Sequence, residues 1–323
     1  MTSQITPQQH PDAQFAVNSM GDDEIDLREL FSVIWQGKWL IAGVTLVFAV
    51  ASVVIALMLP NIYKSEALLA PASEEQGAGG LAGLASQFGG LANMAGINLG
   101  GKGGTDKTQL AIEVLKSRQF IGDFIDKHQI LPELMAVDKW HMADNSLSFD
   151  PEMYNQQSKI WVREVKPPFQ PKPSLQEAYK EFLRIFSVNK DKETGMVKIS
   201  IEHQSPFVAK QWIDWLIADI NRAMKDRDVV EATRSTEFLN KQIALTNVAD
   251  IRTILYKLVE EQAKTIMFAE VRDEYVFKTI DPAFIPEEKA KPKRALICVL
   301  GTMLGGMLAI MIVLIRHFVR KES

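Results

Sequence analysis

Residues 101–108 come closer than any other part of the chain to a phosphate-binding motif. They read GKGGTDKT, one residue away from the P-loop pattern G-x-x-x-x-G-K-[ST]. Asp106 stands where the second glycine belongs, and a carboxylate there would repel the phosphates that the loop must wrap. The residues before the motif are glycine-rich, whereas a P-loop follows a buried strand. The sequence therefore argues against nucleotide binding and favours Asp106 as the N-cap of a helix.

The other residue types that could do chemistry do not fall into a catalytic pattern. No pair of histidines has the spacing of a zinc site, and G-x-S-x-G is absent. Paired acids such as Glu260 and Glu261 lie in a predicted helix, where a solvated face is the ordinary interpretation. We therefore predict a protein that is not an enzyme, with no catalytic residues, no cofactor and no metal site. The histidines considered are His10, His128, His141, His203 and His317.

Charge and cysteine content exclude two further classes. Lys and Arg total 36 and Asp and Glu total 40, a net charge of −4, which is unlike a nucleic-acid-binding protein. Cys298 is the single cysteine, so no disulfide framework can form within the chain. The rest of the chain has no thiol, which suits an oxidising compartment without establishing one.

Two runs, residues 40–59 and 295–315, contain no Asp, Glu, Lys, Arg or His. Each can cross a hydrocarbon core of ~30 Å at ~1.5 Å per residue. These runs predict two transmembrane helices and exclude a wholly soluble protein. The first follows 39 residues and lacks a cleavage site, so we interpret it as an uncleaved anchor. In the second, Gly301 and Gly305 form a GxxxG motif that predicts close helix packing, although glycine is also common in membrane helices.

The regions outside the two spans are short. Residues 1–24 are polar and aperiodic and predict a disordered tail, and residues 316–323 form a second tail. Residues 25–39 predict an amphipathic juxtamembrane helix, with Trp35 and Trp39 at the level of an interfacial aromatic belt. Whether that helix has a partner is left open. Basic residues are equally numerous on both sides of the spans, so they do not decide the orientation.

Residues 60–294 form one predicted domain between the spans. Residues 77–104 contain 11 glycines yet also recurrent Leu, Phe, Met and Ile, which predicts a loop apolar enough to dock on another surface. A strand is predicted at 62–69, a helix at 106–127, a capped helix from Ser174 with Glu177 as the capping-box partner, and a hairpin at 187–190 and 197–203. Residues 140–173 show little predicted structure.

The most informative soluble stretch is 207–281, which contains no glycine and no proline. As one helix it would be on the order of 110 Å long, so we predict a break at Asn247, with Asp250 three residues later. The result is a projecting antiparallel hairpin of helices at about 206–245 and 248–274. The fold class predicted is an α+β membrane protein, with two transmembrane helices flanking an α/β base that carries this long hairpin. Pro282, Pro286 and Pro292 then punctuate the approach to the second span.

The order of these features resembles the Wzz-type chain-length determinants, the polysaccharide co-polymerases of Gram-negative inner membranes. The resemblance lies in IDLREL at 25–30, ADIRTILYKL at 249–258, TIDPA at 279–283 and KAKPKRA at 289–295. It implies a periplasmic middle domain, cytoplasmic termini and a homo-oligomer. It further implies that the chain sets the modal length of lipopolysaccharide O-antigen, or a related glycan, made by a separate Wzy-type polymerase. The lipid-linked glycan is a further implied partner, and the approach through Pro282, Pro286 and Pro292 is implied to matter for function.

Two other interpretations stay open at this stage. A two-span periplasmic sensor would need a partner to supply its output domain. An adaptor of an export complex could carry a similar helical hairpin, and copurification with an exporter rather than a polymerase would identify it. An envelope enzyme is a third class, which the missing catalytic pattern disfavours.

Overall fold

The computed structural model describes residues 27–72 and 107–322. The predicted disordered tail at 1–24, the whole of the glycine-rich loop at 77–104 and the predicted N-cap Asp106 lie outside these residues. The chain divides into two compact units: unit 1 comprises Met1–Met58 and Arg294–Ser323, and unit 2 comprises Leu59–Lys293. Unit 1 begins with α1 (Leu27–Gln36) and α2 (Lys38–Met58).

Unit 2 is built on one four-stranded antiparallel sheet. Its strands are β1 (Tyr63–Pro71), β6 (Phe186–Lys190), β7 (Val197–His203) and β8 (Phe277–Asp281), in the order β6-β7-β1-β8. In β7 the side chains of Val197, Ile199 and Ile201 are fully buried, as expected where alternate residues of a strand face a core. The strand predicted at 62–69 and the hairpin predicted at 187–203 are therefore confirmed.

Short helices and two small hairpins connect β1 to β6. The helices are α3 (Lys107–Leu115), α4 (Arg118–His128), α5 (Leu131–Met135) and α6 (Leu175–Ile185). The hairpins are β2 (Val137–His141) with β3 (Ser146–Phe149), and β4 (Tyr154–Asn155) with β5 (Ile160–Trp161). The Ser174–Glu177 capping box is present as predicted.

Two local predictions in this region were wrong. The helix expected over 106–127 is two helices, because the Ser117 side chain accepts a hydrogen bond from the Phe120 N–H and starts a new N-terminus. Residues 140–173 contain the two hairpins instead of little structure. Their strands are short, and turns fixed by Asp144, Asp150 and Asn155 side chains leave no long periodic pattern to detect.

A pair of long helices completes unit 2. α7 (Pro206–Leu245) has 40 residues and begins at Ser205, whose side chain accepts from the Val208 N–H. α8 (Ala249–Val271) has 23 residues and returns beside it. The chain turns at residues 246–248, but Asn247 is not the cap: Val248 is the N-cap and makes no side-chain cap hydrogen bond. Instead the Arg252 guanidinium donates to the Thr246 carbonyl at 2.7 Å.

The core of unit 2 lies between the sheet and these helices. Trp212, Ile213, Leu216 and Ile220 of α7 are fully buried, and they pack in one cluster with the inward side chains of β1, β6 and β7. Unit 1 ends with α9 (Arg294–Glu322), which extends beyond the predicted span at 295–315. Segments Lys38–Met58 and Arg294–Arg320 are each long and apolar enough to cross a membrane. The predicted fold class, a mixed α and β protein with a long helical pair and an apolar helix near each end, is confirmed.

Candidate functional site

The proline-punctuated approach to the second span is the segment 282–293. It leaves β8 and forms neither helix nor strand, apart from a single bridge at Lys291. Pro282 is exposed and Pro286 is buried, while Pro292 is half-buried. The Ser65 hydroxyl donates to the Phe284 carbonyl at 2.6 Å and fastens the segment to β1. The three prolines therefore lie at separate places along one pinned segment and do not form a single site.

The far end of this segment is paired with the beginning of β1. The Ile62 N–H donates to the Lys291 carbonyl at 2.9 Å, and the Ile62 carbonyl accepts from the Ala290 N–H at 2.8 Å. The Lys291 ammonium also contacts the Glu202 carboxylate at 2.5 Å. Both points at which unit 2 continues into unit 1 thus lie at the same end of unit 2.

A groove of about 620 Å³ runs beside Pro282, between α7 and β8. Its walls carry charged side chains of both signs. At its floor, Asn221 is buried and bonds to the backbone of β8: its Oδ1 accepts from the N–H groups of Val276 and Phe277. The charged lining residues are Asp214, Arg222, Lys225, Asp226, Asp273 and Glu274.

A second polar cluster lies farther along α7. The Tyr275 hydroxyl donates to Asp228 Oδ2 at 2.6 Å, and the Lys107 ammonium contacts the same oxygen at 2.7 Å. Burial, together with the hydrogen bond to Asp228, raises the pKa of Tyr275 above its usual value. This cluster marks the base of what we call the arm: residues 228–245 of α7 together with α8.

A buried histidine lies next to the N-terminal end of α7. The His203 Nδ1 accepts from the Ser205 N–H at 3.0 Å, so its Nε2 carries the proton and donates to the Glu133 carbonyl at 3.0 Å. Burial lowers the pKa of His203 and raises the pKa of the Glu133 carboxyl. Both shifts favour the neutral forms, which fits a structural role at the junction of β7 and α7.

The arm carries apolar side chains on two faces. One face holds a groove of about 450 Å³ between the helices, with Phe238, Leu239 and Leu258 in its lining. Phe238 is 61% exposed. By helical spacing, the opposite face of α8 carries three exposed side chains with apolar surface and also the exposed Glu260–Lys264 ion pair. The three side chains are Tyr256, Met267 and Val271.

In unit 1 the two predicted glycines lie at the contact of α9 with α2. A Cβ atom added at Gly301 would lie 2.5 Å from the Cβ of Ser52, and one at Gly305 would lie 2.4 Å from the Cβ of Phe48. Any larger residue would force the helices apart. Gly306, next in the chain, has no atom closer than 3.8 Å to an added Cβ. Gly37, between α1 and α2, is similarly close to Val313, at 2.6 Å.

Within the described ranges 27–72 and 107–322, no group of His, Cys, Asp and Glu side chains is arranged to hold a metal ion. The polar clusters around Asn221, Asp228 and His203 join neighbouring elements of unit 2. What the arrangement supplies within unit 2 is a packed base, a long arm and an approach segment fastened to β1.

Comparison with protein families gives two matches. The family model described as "Chain length determinant protein", Wzz, matches residues 23–128. GNVR, described as "G-rich domain on putative tyrosine kinase", matches residues 241–318, and together the two ranges span more than half of the chain. The chain thus carries a Wzz chain length determinant domain and, after it, a GNVR domain. The Wzz domain, together with the apolar helices α2 and α9, indicates an inner membrane protein.

Two solved structures are similar to this chain. One is a full-length bacterial polysaccharide co-polymerase, 14% identical, covering 92% of this chain and 99% of that chain with a TM-score of 0.38. The other is a fragment of WzzB, a polysaccharide co-polymerase from Salmonella Typhimurium, 10% identical, covering 72% and 100% with a TM-score of 0.28. A comparison with curated protein sequences gives no match.

Sequence reasoning missed the residues that tie the arm to the sheet. Asn221 follows Ile220 on the apolar stripe of α7, and a lone amide on such a stripe is the signal that could have found it. Asp228 and Tyr275 carry no such signal, because their meeting depends on how α7 and α8 pack. The roles of Pro282, Pro286, Pro292, Gly301 and Gly305 stay predictions.

Proposed function

We propose that this protein is a non-enzymatic membrane scaffold. It regulates the modal length of lipopolysaccharide O-antigen, or of a related surface polysaccharide, that a Wzy-type polymerase makes. Unit 2 lies in the periplasm and both termini are cytoplasmic. The observation that carries the proposal is the match of the chain length determinant family model to residues 23–128.

The architecture supports a scaffold. α7, with its 40 residues, is about 60 Å long, and α8 stiffens its outer part. Asn221 bonds α7 to β8 at the base. A long, braced element of this kind can hold a polymerase or a growing lipid-linked glycan at a fixed distance from the membrane without any chemistry of its own.

The approach segment transmits the position of the spans to the base in this proposal. Proline fixes φ and removes a backbone donor, so Pro282, Pro286 and Pro292 limit the conformations of the segment. Its pairing with Ile62 holds the two connections side by side. Close packing at Gly301 and Gly305 then keeps α2 and α9 together.

Copies of the chain assemble into a homo-oligomer in this proposal. The face of α8 that carries Tyr256, Met267 and Val271 exposes apolar surface beside the Glu260–Lys264 ion pair, and a neighbouring copy would remove this apolar surface from water. This face lies away from the groove that contains Phe238.

A deletion strain tests the function. Its lipopolysaccharide, separated on a silver-stained gel, should keep a ladder of chain lengths but lose the modal cluster, and the intact gene should restore that cluster. Polymerisation that stops altogether would mean a polymerase component, and an unchanged ladder would count against a role in O-antigen length. Copurification with an exporter and not with the polymerase would favour the adaptor.

A further inference from the structure

We propose that the glycine-rich segment 73–106 docks on the arm of its own chain, in the groove lined by Phe238, Leu239 and Leu258. The segment itself lies outside the described residues. The groove is described, and so are Ala72 and Lys107, the residues that flank the segment. The proposal concerns an interaction surface and stands independently of the proposed function.

Both ends of the segment are fastened at the base of the arm. On one side, Pro71 pairs with Phe277 and the Ala72 N–H donates to the Val276 carbonyl at 3.0 Å. On the other side, the Lys107 ammonium contacts Asp228 at 2.7 Å and lies 5.6 Å from the centre of the Tyr275 ring. Tyr275 and Val276 are consecutive, so the 34 residues between Ala72 and Lys107 leave and return at nearly the same place.

The segment is long enough to reach the groove. From Asp228, Phe238 is ten residues farther along α7, a distance of about 15 Å at 1.5 Å per residue. Half of the segment, extended, spans about 55 Å at ~3.3 Å per residue. The whole arm therefore lies within reach of the segment, and the distance to the groove is much shorter than half of the extended segment.

The attachment points face away from the connections to the spans. β1 has nine residues between Tyr63 and Pro71, about 30 Å of strand. Ile62, at its beginning, pairs with Lys291 where unit 2 continues into unit 1, whereas the segment leaves from its end. This separation favours the arm over the membrane surface as the binding partner.

The segment and the groove match in chemistry. Residues 76–101 contain no Asp, Glu, Lys, Arg or His. Their larger side chains include Leu81, Leu84, Phe88 and Leu91, spaced as i, i+3, i+7 and i+10, the spacing of one face of a helix. On the arm, Phe238 is 61% exposed, and on α8 the exposed Ile251 and Ile254 share a stripe with Leu258. Burying this surface against the uncharged residues 76–101 removes both from water.

Cysteine cross-linking in the full-length chain tests the proposal. Cys298 is the single cysteine, so Cys298→Ser gives a thiol-free background. Gln262 lines the groove, and Gln262→Cys is combined in turn with Gln76→Cys, Gln87→Cys, Asn93→Cys or Asn98→Cys. These substitutions leave the apolar side chains intact. Membranes are treated with a short bismaleimide, and linked peptides are quantified by mass spectrometry.

The control places the second cysteine at Lys264, two residues along α8 and on its other side. We expect at least one segment position to link to Gln262→Cys several-fold more than to Lys264→Cys. Adding Phe238→Asp should reduce that yield to the control level. Phe238 is exposed, so this change leaves folding of the arm intact.

Coexpression of two differently tagged chains, one with only Gln262→Cys and the other with only the segment cysteine, separates the two sources of the link. A strong link when both cysteines are in one chain, with none between the two tagged chains, supports docking within one chain. A link between the tagged chains at the frequency of random association would overturn the proposal in favour of a neighbouring copy. Equal yields at Gln262→Cys and Lys264→Cys for all four segment positions would overturn docking itself.

Discussion

Asn221 bonds to both backbone polar groups of Phe277. Its Oδ1 accepts from the Phe277 N–H at 2.9 Å, and its Nδ2 donates to the Phe277 carbonyl at 3.0 Å. The amide of a helix residue thereby occupies the place of a neighbouring strand beside β8. Because all of these groups are buried, α7 and the edge of the sheet are joined at one defined register.

Asn221→Leu should destabilise unit 2. The change leaves the N–H groups of Val276 and Phe277 and the Phe277 carbonyl without partners, at a cost of roughly 3 kcal/mol in the free energy of unfolding. Urea unfolding of the detergent-solubilised chain, followed by tryptophan fluorescence, measures this. Asn240→Leu, at an exposed position of the same helix, should change the free energy by less than about 0.5 kcal/mol. Equal losses in the two variants would contradict the role given to Asn221.

Local sequence patterns predict much of this architecture. The features that they do not predict depend on tertiary contacts. The capping box at Ser174 and the buried alternation of Val197, Ile199 and Ile201 are local patterns, so they could be predicted. The turn between α7 and α8 was placed at the right residues, but its cap was wrong. No side chain caps α8, and Arg252 bonds Thr246 from the next turn.

In the candidate site, too, some residues could be predicted from local patterns and others depend on tertiary contacts. Glycine spacing alone pointed to Gly301 and Gly305, because close helix approach needs small residues at a repeat of four. The pairs Asn221–Phe277 and Tyr275–Asp228 join residues 56 and 47 positions apart. Such pairs follow from the packing of whole elements, which a single sequence does not encode in any local period.

Stability should fall as the pH falls below about 6.5, the ordinary pKa of histidine. Burial lowers the pKa of His203 in the folded state, so below pH 6.5 the unfolded chain takes up a proton that the folded chain does not. The resulting slope is at most about 1.4 kcal/mol per pH unit from this group. Glu133 acts in the opposite sense. Its pKa is raised in the folded state, so the stability that it contributes is present below the ordinary pKa of glutamate and is lost as the pH rises through the folded-state pKa.

Urea unfolding between pH 7.5 and 5.5 measures this slope. His203→Gln keeps a neutral hydrogen-bonding side chain and should flatten the dependence in this range, even if it lowers stability at every pH. His141→Gln, at an exposed position, should leave the slope as it is. A wild-type stability that does not change over this range would contradict the lowered pKa assigned to His203.

Gly301→Ala and Gly305→Ala should loosen the packing of α9 on α2. Each added methyl would meet a Cβ at 2.5 Å or less, and overpacking of this kind costs roughly 1–3 kcal/mol. Thermal unfolding in micelles, followed by helical circular dichroism, should show a lower midpoint for both. Gly306→Ala is the matched control, because its nearest neighbour lies 3.8 Å away, an ordinary contact. If all three variants behaved alike, the close approach would not be responsible.

Charges on the outer face of α8 should dissociate the oligomer. Met267 and Val271 are 51% and 78% exposed, so Met267→Asp and Val271→Asp cost little in folding but place a carboxylate where the proposed neighbouring copy packs. Light scattering of the purified full-length chain in detergent should show a smaller mass for the double variant. Phe238→Asp introduces the same charge on the groove face and should keep the wild-type mass. An oligomer lost equally in both variants would mean that the copies meet at the groove, and the division of the arm into two faces with separate partners would be wrong.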